Sequence, residues 1–353
     1  MTVDYVIIGQ GLCGTWLSYY LLNSGATVLV IDKFNDTSAS NVASGLINPV
    51  TGRRVVTTWM AEKLLPFLRN EYEEFNKQFH FGCMSQKNIL VFPSAPDLHE
   101  AFNKRRNEGN SYIFPSPVSK NLLQKHFNFP FDVMEIAPCY LIDVRELITR
   151  WRNYLKRGNA LIEDHFNEDK LVIGNDRIQY KDIVAKKIIY CNGIQATFSK
   201  YWNTLPFVPN KGQALIVDIP KIPRDHMYKF GHIAITPWEH DLWWIGSSNE
   251  LEFETDQPTE DFAKKTTALL TAILRTEFIV KAHVASLRPA TVERRPFVGV
   301  HPHNTCMAIL NGMGSKGCSL APWFAKELTG HLTANTPVNI LADVKRYTNI
   351  LTR

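Results

Sequence analysis

VDYVIIGQGLCGTWLSYYLLNSGATVLVID, residues 3–32, decides the fold. Val3 to Ile8 is a short apolar run rich in β-branched residues, as expected of a strand buried on both faces. Gly9-Gln10-Gly11-Leu12-Cys13-Gly14 follows as a GxGxxG turn. Leu12, Trp16, Tyr19 and Tyr20 then recur at helical spacing, Gly25 stops the helix, and Thr27 to Ile31 is a second buried strand ending at Asp32. This strand–turn–helix–strand order is what a dinucleotide needs. Gly9 permits the tight turn, Gly11 leaves room for a pyrophosphate against the backbone, and Gly14 lets the helix pack close to the strand. The helix N-terminus turns free N–H groups and a partial positive charge toward the phosphates. Asp32 stands where a carboxylate accepts hydrogen bonds from ribose hydroxyls and repels the extra phosphate of NADP. The motif by itself does not separate NAD from FAD.

Outward from this unit, the small residues of 37–54 (TSASNVASGLINPVTGRR) suit a loop that hugs a ligand. The apolar spacing predicts amphipathic helices over 57–79, 144–157 and 259–275, a polar helix over 96–108, and a helix over 321–331 with Pro322 in its first turn. Strands are predicted over 87–92, near 160–166, 170–173 and 186–191, and over 213–217, 233–236, 242–245, 298–300 and 306–310. In the segment 242–245, Trp243 and Trp244 should face opposite sides. Helix–strand alternation at both ends, with an antiparallel-looking middle, predicts two interleaved domains, one α/β and one α+β.

The chain has 353 residues, 45% of them hydrophobic and 21% charged, which excludes a disordered chain or a disulfide-stapled miniprotein. Its net charge of +5 is too small for a dedicated nucleic-acid binder. The basic runs Arg53-Arg54, Lys104-Arg105-Arg106 and Arg294-Arg295 read as solvated surface. Six scattered cysteines without zinc spacing read as reduced and cytoplasmic. Residues 5–31 carry no charged side chain, yet Gly9, Gly11, Gly14 and Gly25 interrupt them, so no membrane span is expected. His301-Pro302-His303 is too small a set for a metal and reads as a solvated loop.

Several stretches together give a resemblance. Gly9, Gly11, Leu12, Cys13 and Gly14, with Asp32 and Lys33, match a pyrophosphate and ribose site, although Glu is more usual at Asp32. Ala39, Ser40, Ser44, Gly45 and Leu46 match a flavin-lining loop, and Phe166 falls near a strand residue whose backbone meets adenine. Cys191-Asn192-Gly193 stands where Ala-Thr-Gly is common, and Pro209 to Gln213 (PNKGQ) matches the entry to a substrate sheet. Leu287-Arg288-Pro289-Ala290-Thr291 with Pro296 to Gly299, and the glycine loop Asn311 to Pro322 (NGMGSKGCSLAP), complete the match. In these features the chain resembles the D-amino-acid-oxidase/glycine-oxidase (DAO) family of FAD-dependent oxidoreductases. It is also similar to the FAD domain of the bifunctional tRNA wobble-uridine modification enzyme.

The resemblance implies an α/β FAD-binding Rossmann-like domain, residues 1–79, 141–212 and 284–353, interleaved with an α+β substrate domain on a mostly antiparallel sheet, residues 80–140 and 213–283. It implies noncovalent FAD, because no cysteine near Arg288 matches the covalent attachment point of monomeric sarcosine oxidases. Cofactor contacts would come from the residues above, with Gly193, Gly312, Met313, Gly314, Ser315, Gly317 and Cys318. Arg288 would clamp a substrate carboxylate, and Lys316 would add charge beside the flavin. The implied reaction is oxidation of the C–N bond of an amino acid or N-substituted glycine by hydride transfer to flavin N5. The alternative is removal of the carboxymethyl group from a carboxymethylaminomethyl wobble uridine in tRNA. Ala234 and Ser315 stand where glycine-oxidase-like members carry Tyr and Arg, so free glycine should be a poor substrate.

Overall fold

The computed structural model describes residues 1–351. The chain divides into two compact units, residues 1–41, 144–210 and from Leu287 onward in one, Val42–Asp143 and Lys211–Ser286 in the other. The interleaving matches the sequence pattern, but the first boundary falls earlier than expected. Residues 42–79 pack with the second unit because Leu46–Ile47 pairs with Tyr140–Ile142, which in turn pairs with Met84–Gln86.

The first unit is built on a parallel sheet. Its central strands are Leu161–Ile162, Val28–Ile31, Thr2–Ile8, Ile183–Tyr190 and Met307–Asn311, in that order. Antiparallel additions are Ile178–Tyr180 beside Ile183–Tyr190, with Leu171–Ile173 beyond it, and Phe297–Val300 beside Met307–Asn311. The register Tyr5↔Val28 and Tyr5↔Lys187 places the end of Thr2–Ile8 between two parallel neighbours, so its apolar run is buried. Helix Leu12–Asn23 packs against helices Val144–Arg157 and Gly317–Ala334. There Trp151 Nε1 donates to Ser18 Oγ (2.8 Å), and the Trp151 and Tyr19 rings meet edge to face at 5.6 Å. Trp16 and Trp151 are fully buried, and truncating either to Ala would cost ~3–5 kcal/mol.

The second unit carries an eight-stranded sheet in the order Ile279–Arg288, Asn210–Asp218, Trp243–Gly246, Ile233–Pro237, Met227–Phe230, Ile89–Phe92, Met134–Ile136, Ile113–Pro115. Met227–Phe230 runs parallel to Ile89–Phe92, whereas Trp243–Gly246 pairs antiparallel with Asn210–Asp218 and Ile233–Pro237, Met227–Phe230 with Ile233–Pro237, and Met134–Ile136 with Ile89–Phe92 and Ile113–Pro115. Trp243 and Trp244 do point to opposite faces, one in the core with Leu215, Val217 and Ile245, the other with Ala214 and Ile216. Arg105 Nε donates to the Arg54 carbonyl (3.3 Å), so two of the basic runs meet on this unit.

Three elements correct the sequence reading. The strand expected near 160–166 stops at Ile162, which leaves Phe166 in a loop. The last long helix begins at Gly317, so Pro322 lies in its second turn, where it forfeits the hydrogen bond to the Cys318 carbonyl. His301 is buried rather than solvated: its ring meets Trp202 at 5.0 Å, and Nδ1 accepts the His303 N–H (3.2 Å). Among the described residues, no helix is long and apolar enough to cross a membrane.

Candidate functional site

The GxGxxG turn is closed by backbone contacts. Gly9 N–H donates to the Ile31 carbonyl (2.9 Å), and Cys191 N–H donates to the Ile8 carbonyl (2.8 Å). Gly9 has φ +95°, and a Cβ on it would lie 2.7 Å from the Cys191 oxygen and 2.8 Å from Asn192 Cα. A Cβ on Gly14 would lie 1.8 Å from the Gly9 carbonyl oxygen, the close helix–strand approach its place in the motif requires. Gly11 differs, since its Cβ would meet only the Ser40 hydroxyl, at 2.8 Å. Helix Leu12–Asn23 has no side-chain cap on Gly11, although Ser40 Oγ accepts the Leu12 N–H (3.1 Å). The N–H groups of Cys13 and Gly14 have no partner among the described residues. A bare helix N-terminus beside a glycine that leaves space fits a pyrophosphate.

Asp32 stands at the end of the second strand with both carboxylate oxygens engaged. Oδ1 accepts the Gln10 N–H (2.9 Å), and Oδ2 accepts from Arg152 Nη1 (2.6 Å). Arg152 escaped the sequence reading. It lies on helix Val144–Arg157, four residues after Ile148 and three before Leu155, so a charge within the apolar stripe was the available signal. Lys33, which follows Asp32 in the chain, is exposed. Phe166 spends its side chain on the core, 5.0 Å from the Tyr180 ring and 5.9 Å from Tyr190.

The C-terminal glycine loop joins the motif within the same unit. Asn311 Nδ2 donates to the Gly193 carbonyl (2.9 Å), while Asn311 Oδ1 accepts the Gly312 N–H (2.8 Å). Gly312, at φ +81°, leaves no room for a Cβ against Thr291 Cγ2 (2.8 Å). Gly314 N–H donates to the Pro289 carbonyl (3.1 Å), which ties the loop to the residue after Arg288. A Cβ on Gly317 would lie 3.0 Å from Leu12 Cδ1, so the start of the last helix abuts the start of the first. Met313 and Cys318 are buried, and Ser315 is exposed.

Arg288 ends strand Ile279–Arg288 half-buried, and its Nη1 donates to Asn210 Oδ1 (2.8 Å). Asn210 is itself 3% exposed; the sequence showed it only as the variable position of the PNKGQ stretch, with no role of its own. Lys316 is half-buried; burial first, then Arg295 and Arg294, hold its ammonium below the ordinary lysine value. Burial pushes the Cys13 and Cys318 thiols up to about 12 and Cys191 well above its ordinary value. These cysteines stay protonated and are poor nucleophiles.

Gly9, Gly11, Leu12, Cys13, Gly14, Asp32, Ala39, Ser40, Gly193, Arg288 and the loop 312–318 thus all belong to the first unit. Ser44, Gly45 and Leu46 are carried by the second, where a Cβ on Gly45 would lie 1.8 Å from the Ile142 oxygen.

The chain matches the family described as FAD dependent oxidoreductase (DAO) over residues 4–330. It is 26% identical to glycine oxidase of Bacillus subtilis (strain 168) over 164 residues, which span 45% of this chain and 44% of that relative. The chain therefore spans less than half the length of that curated relative. Its fold resembles the solved structure of iminodiacetate oxidase from Chelativorans sp. BNC1 (TM-score 0.78, 18% identity, 96% of this chain and 97% of that one). It also resembles glycine oxidase from Bacillus cereus ATCC 14579 (TM-score 0.78, 16% identity, 99% of each chain).

Proposed function

We propose, from the premise that this chain belongs to the DAO family of FAD-dependent oxidoreductases, that it oxidises the C–N bond of a small amino acid or N-substituted glycine. What carries this reading is Arg288, a half-buried guanidinium oriented by the Asn210 amide and tied through Pro289 to the glycine loop at Gly314. A guanidinium presents a planar fork that matches a carboxylate, and Asn210 orients that fork without adding a negative charge. Clamping the carboxylate fixes the neighbouring carbon, and fixed geometry supplies most of what this oxidation asks of the protein.

Bound FAD would supply the two-electron acceptor. The residues that fit it are the bare helix N-terminus at Cys13 and Gly14 for the pyrophosphate, Asp32 for the ribose, and the loop 312–317 for the ring system. The N-terminus of helix Gly317–Ala334, with Lys316 beside it, gives that loop a positive potential. The amine substrate loses a hydride and a proton to become an imine, and water converts the imine to an oxoacid and a smaller amine or ammonia. Similarity to proteins named glycine oxidase and iminodiacetate oxidase supports an amine that carries a carboxylate.

The test is anaerobic mixing of the purified yellow protein with glycine, sarcosine, iminodiacetate and bulky D-amino acids, following loss of flavin absorbance. Larger N-substituted glycines should bleach the flavin faster than glycine, because remote contacts help orient the reacting carbon. Fastest bleaching by free glycine would refute the preference for larger substrates. No bleaching by any carboxylate-bearing amine would refute the substrate class.

A further inference from the structure

We infer that Arg152 is a positioning residue for the cofactor's adenosine ribose, acting through Asp32. The inference rests on the reading of Asp32 as the ribose acceptor. All five N–H donors of the Arg152 guanidinium are spoken for. Nη1 donates to Asp32 Oδ2 (2.6 Å) and to Gln10 Oε1 (3.0 Å). Nη2 donates to the Asp32 carbonyl (3.1 Å) and, with Nε, to Glu163 Oε1 (2.9 and 3.2 Å). The side chain is 6% exposed, against 19% for Asp32.

Gln10 closes the ring of contacts. Its backbone N–H donates to Asp32 Oδ1 (2.9 Å), while its side chain takes the guanidinium on one side and donates to the Ile148 carbonyl and Thr15 Oγ1 (each 3.1 Å) on the other. Asp32 is therefore gripped at both carboxylate oxygens and at its carbonyl, and its side chain has one orientation. Each oxygen keeps a lone pair, and those lone pairs point in fixed directions, which two neighbouring hydroxyls of a ribose require. Glu163 offsets the charge that Arg152 brings, and Lys156 Nζ in turn pairs with Glu163 (2.8 Å). The arrangement joins the second residue of the glycine motif to a helix more than a hundred residues away in sequence.

FAD and FMN separate a ribose effect from general damage, because FMN lacks the adenosine half. Dissociation constants are read from flavin fluorescence released when the holoenzyme is diluted, and, for FMN, from titration of flavin-stripped protein. Asp32→Ala and Arg152→Met should each weaken FAD about tenfold or more, the worth of one hydrogen bond to a charged group, and leave FMN within about twofold. The double variant should bind FAD no more than about threefold worse than Asp32→Ala alone, since the two residues act as one. Arg152→Lys should recover part of the loss, and it serves as the probe if Arg152→Met fails to fold. Multiplying losses in the double variant, equal losses for FMN, or unchanged FAD binding in the Arg152 variants while Asp32→Ala weakens it would overturn the inference. Unchanged FAD binding in Asp32→Ala would refute the ribose reading itself, and the inference with it.

Discussion

Asn210→Asp is the sharpest perturbation of the proposed substrate clamp. The exchange is isosteric and puts a carboxylate where an amide oxygen now accepts from Arg288 Nη1 at 2.8 Å. With charge centres ~4 Å apart, the attraction is ~4 kcal/mol at an effective dielectric of 20 and ~1 kcal/mol in bulk water. Arg288 is half-buried, so the new pair should compete with a substrate carboxylate by about 2–3 kcal/mol, or about 30- to 150-fold in KM. The assay compares KM for a carboxylate substrate with that for its methyl ester. The acid should lose this factor, and the ester should be unchanged or improve. Folding should survive, because the buried carboxylate acquires the guanidinium as partner. Equal changes for acid and ester, or no change in either, would refute the assignment of Arg288 to the carboxylate.

Gly11→Val should fold yet purify colourless, because a Cβ there would meet only the Ser40 side chain inside the protein, whereas Gly14→Ala should melt lower or fail to express, since its Cβ would sit 1.8 Å from a backbone oxygen; flavin absorbance and thermal melting read the two. Acid or heat should release intact FAD from the denatured chain, as desolvation holds the half-buried Cys13 and buried Cys318 thiols near 12 and they do not ionise; flavin left on the polypeptide would refute noncovalent binding. Burial, reinforced by His303, lowers His301 from its ordinary 6.5 to about 4. The unfolded chain therefore binds this proton first, and the stabilisation, complete above pH 6.5, is lost as pH falls toward 4, by about 1–3 kcal/mol. His301→Asn, which keeps an acceptor for the His303 N–H, should flatten that slope in denaturant titrations at pH 7 and 4.5; an unchanged slope would refute it.

Local signals carried most of the fold. Strand Thr2–Ile8, helix Leu12–Asn23 and strand Val28–Ile31 are contiguous, so composition, glycines and period all fall within one window. Helix Val144–Arg157 coincides with the expected 144–157, because Leu147, Ile148, Trp151 and Leu155 recur at helical spacing along one face. Strand Ile279–Arg288 went unread because Ile279 to Ala282 are all exposed and show no alternation; its place in the sheet comes from pairing with Asn210–Asp218. Met227–Phe230 went unread because it is four residues long, and its burial depends on partners as distant as Ile89–Phe92. His301 read as solvated because a His-Pro-His loop is polar, and nothing nearby in sequence announces Trp202.

The two arginines of the site show why residue type alone could not assign roles. Arg288 was legible through the motif around it, and Arg152 was not, though both are guanidiniums with restricted exposure. Their partners divide them. Arg152 meets two carboxylates and spends every donor inside the protein, so it can hold Asp32 still but has nothing left for a ligand. Arg288 donates Nη1 to a buried amide oxygen, which orients the guanidinium without itself adding a negative charge, as the clamp for a carboxylate substrate requires. Exchanging those partners should exchange the roles. A carboxylate at position 210 turns Arg288 toward a structural pair, as in Asn210→Asp. An amide at position 163, as in Glu163→Gln, leaves Arg152 less compensated and should tighten its hold on Asp32, with FAD bound at least as well as in wild type. Weaker FAD binding in Glu163→Gln would show that the second carboxylate, not Asp32, is what keeps Arg152 in place.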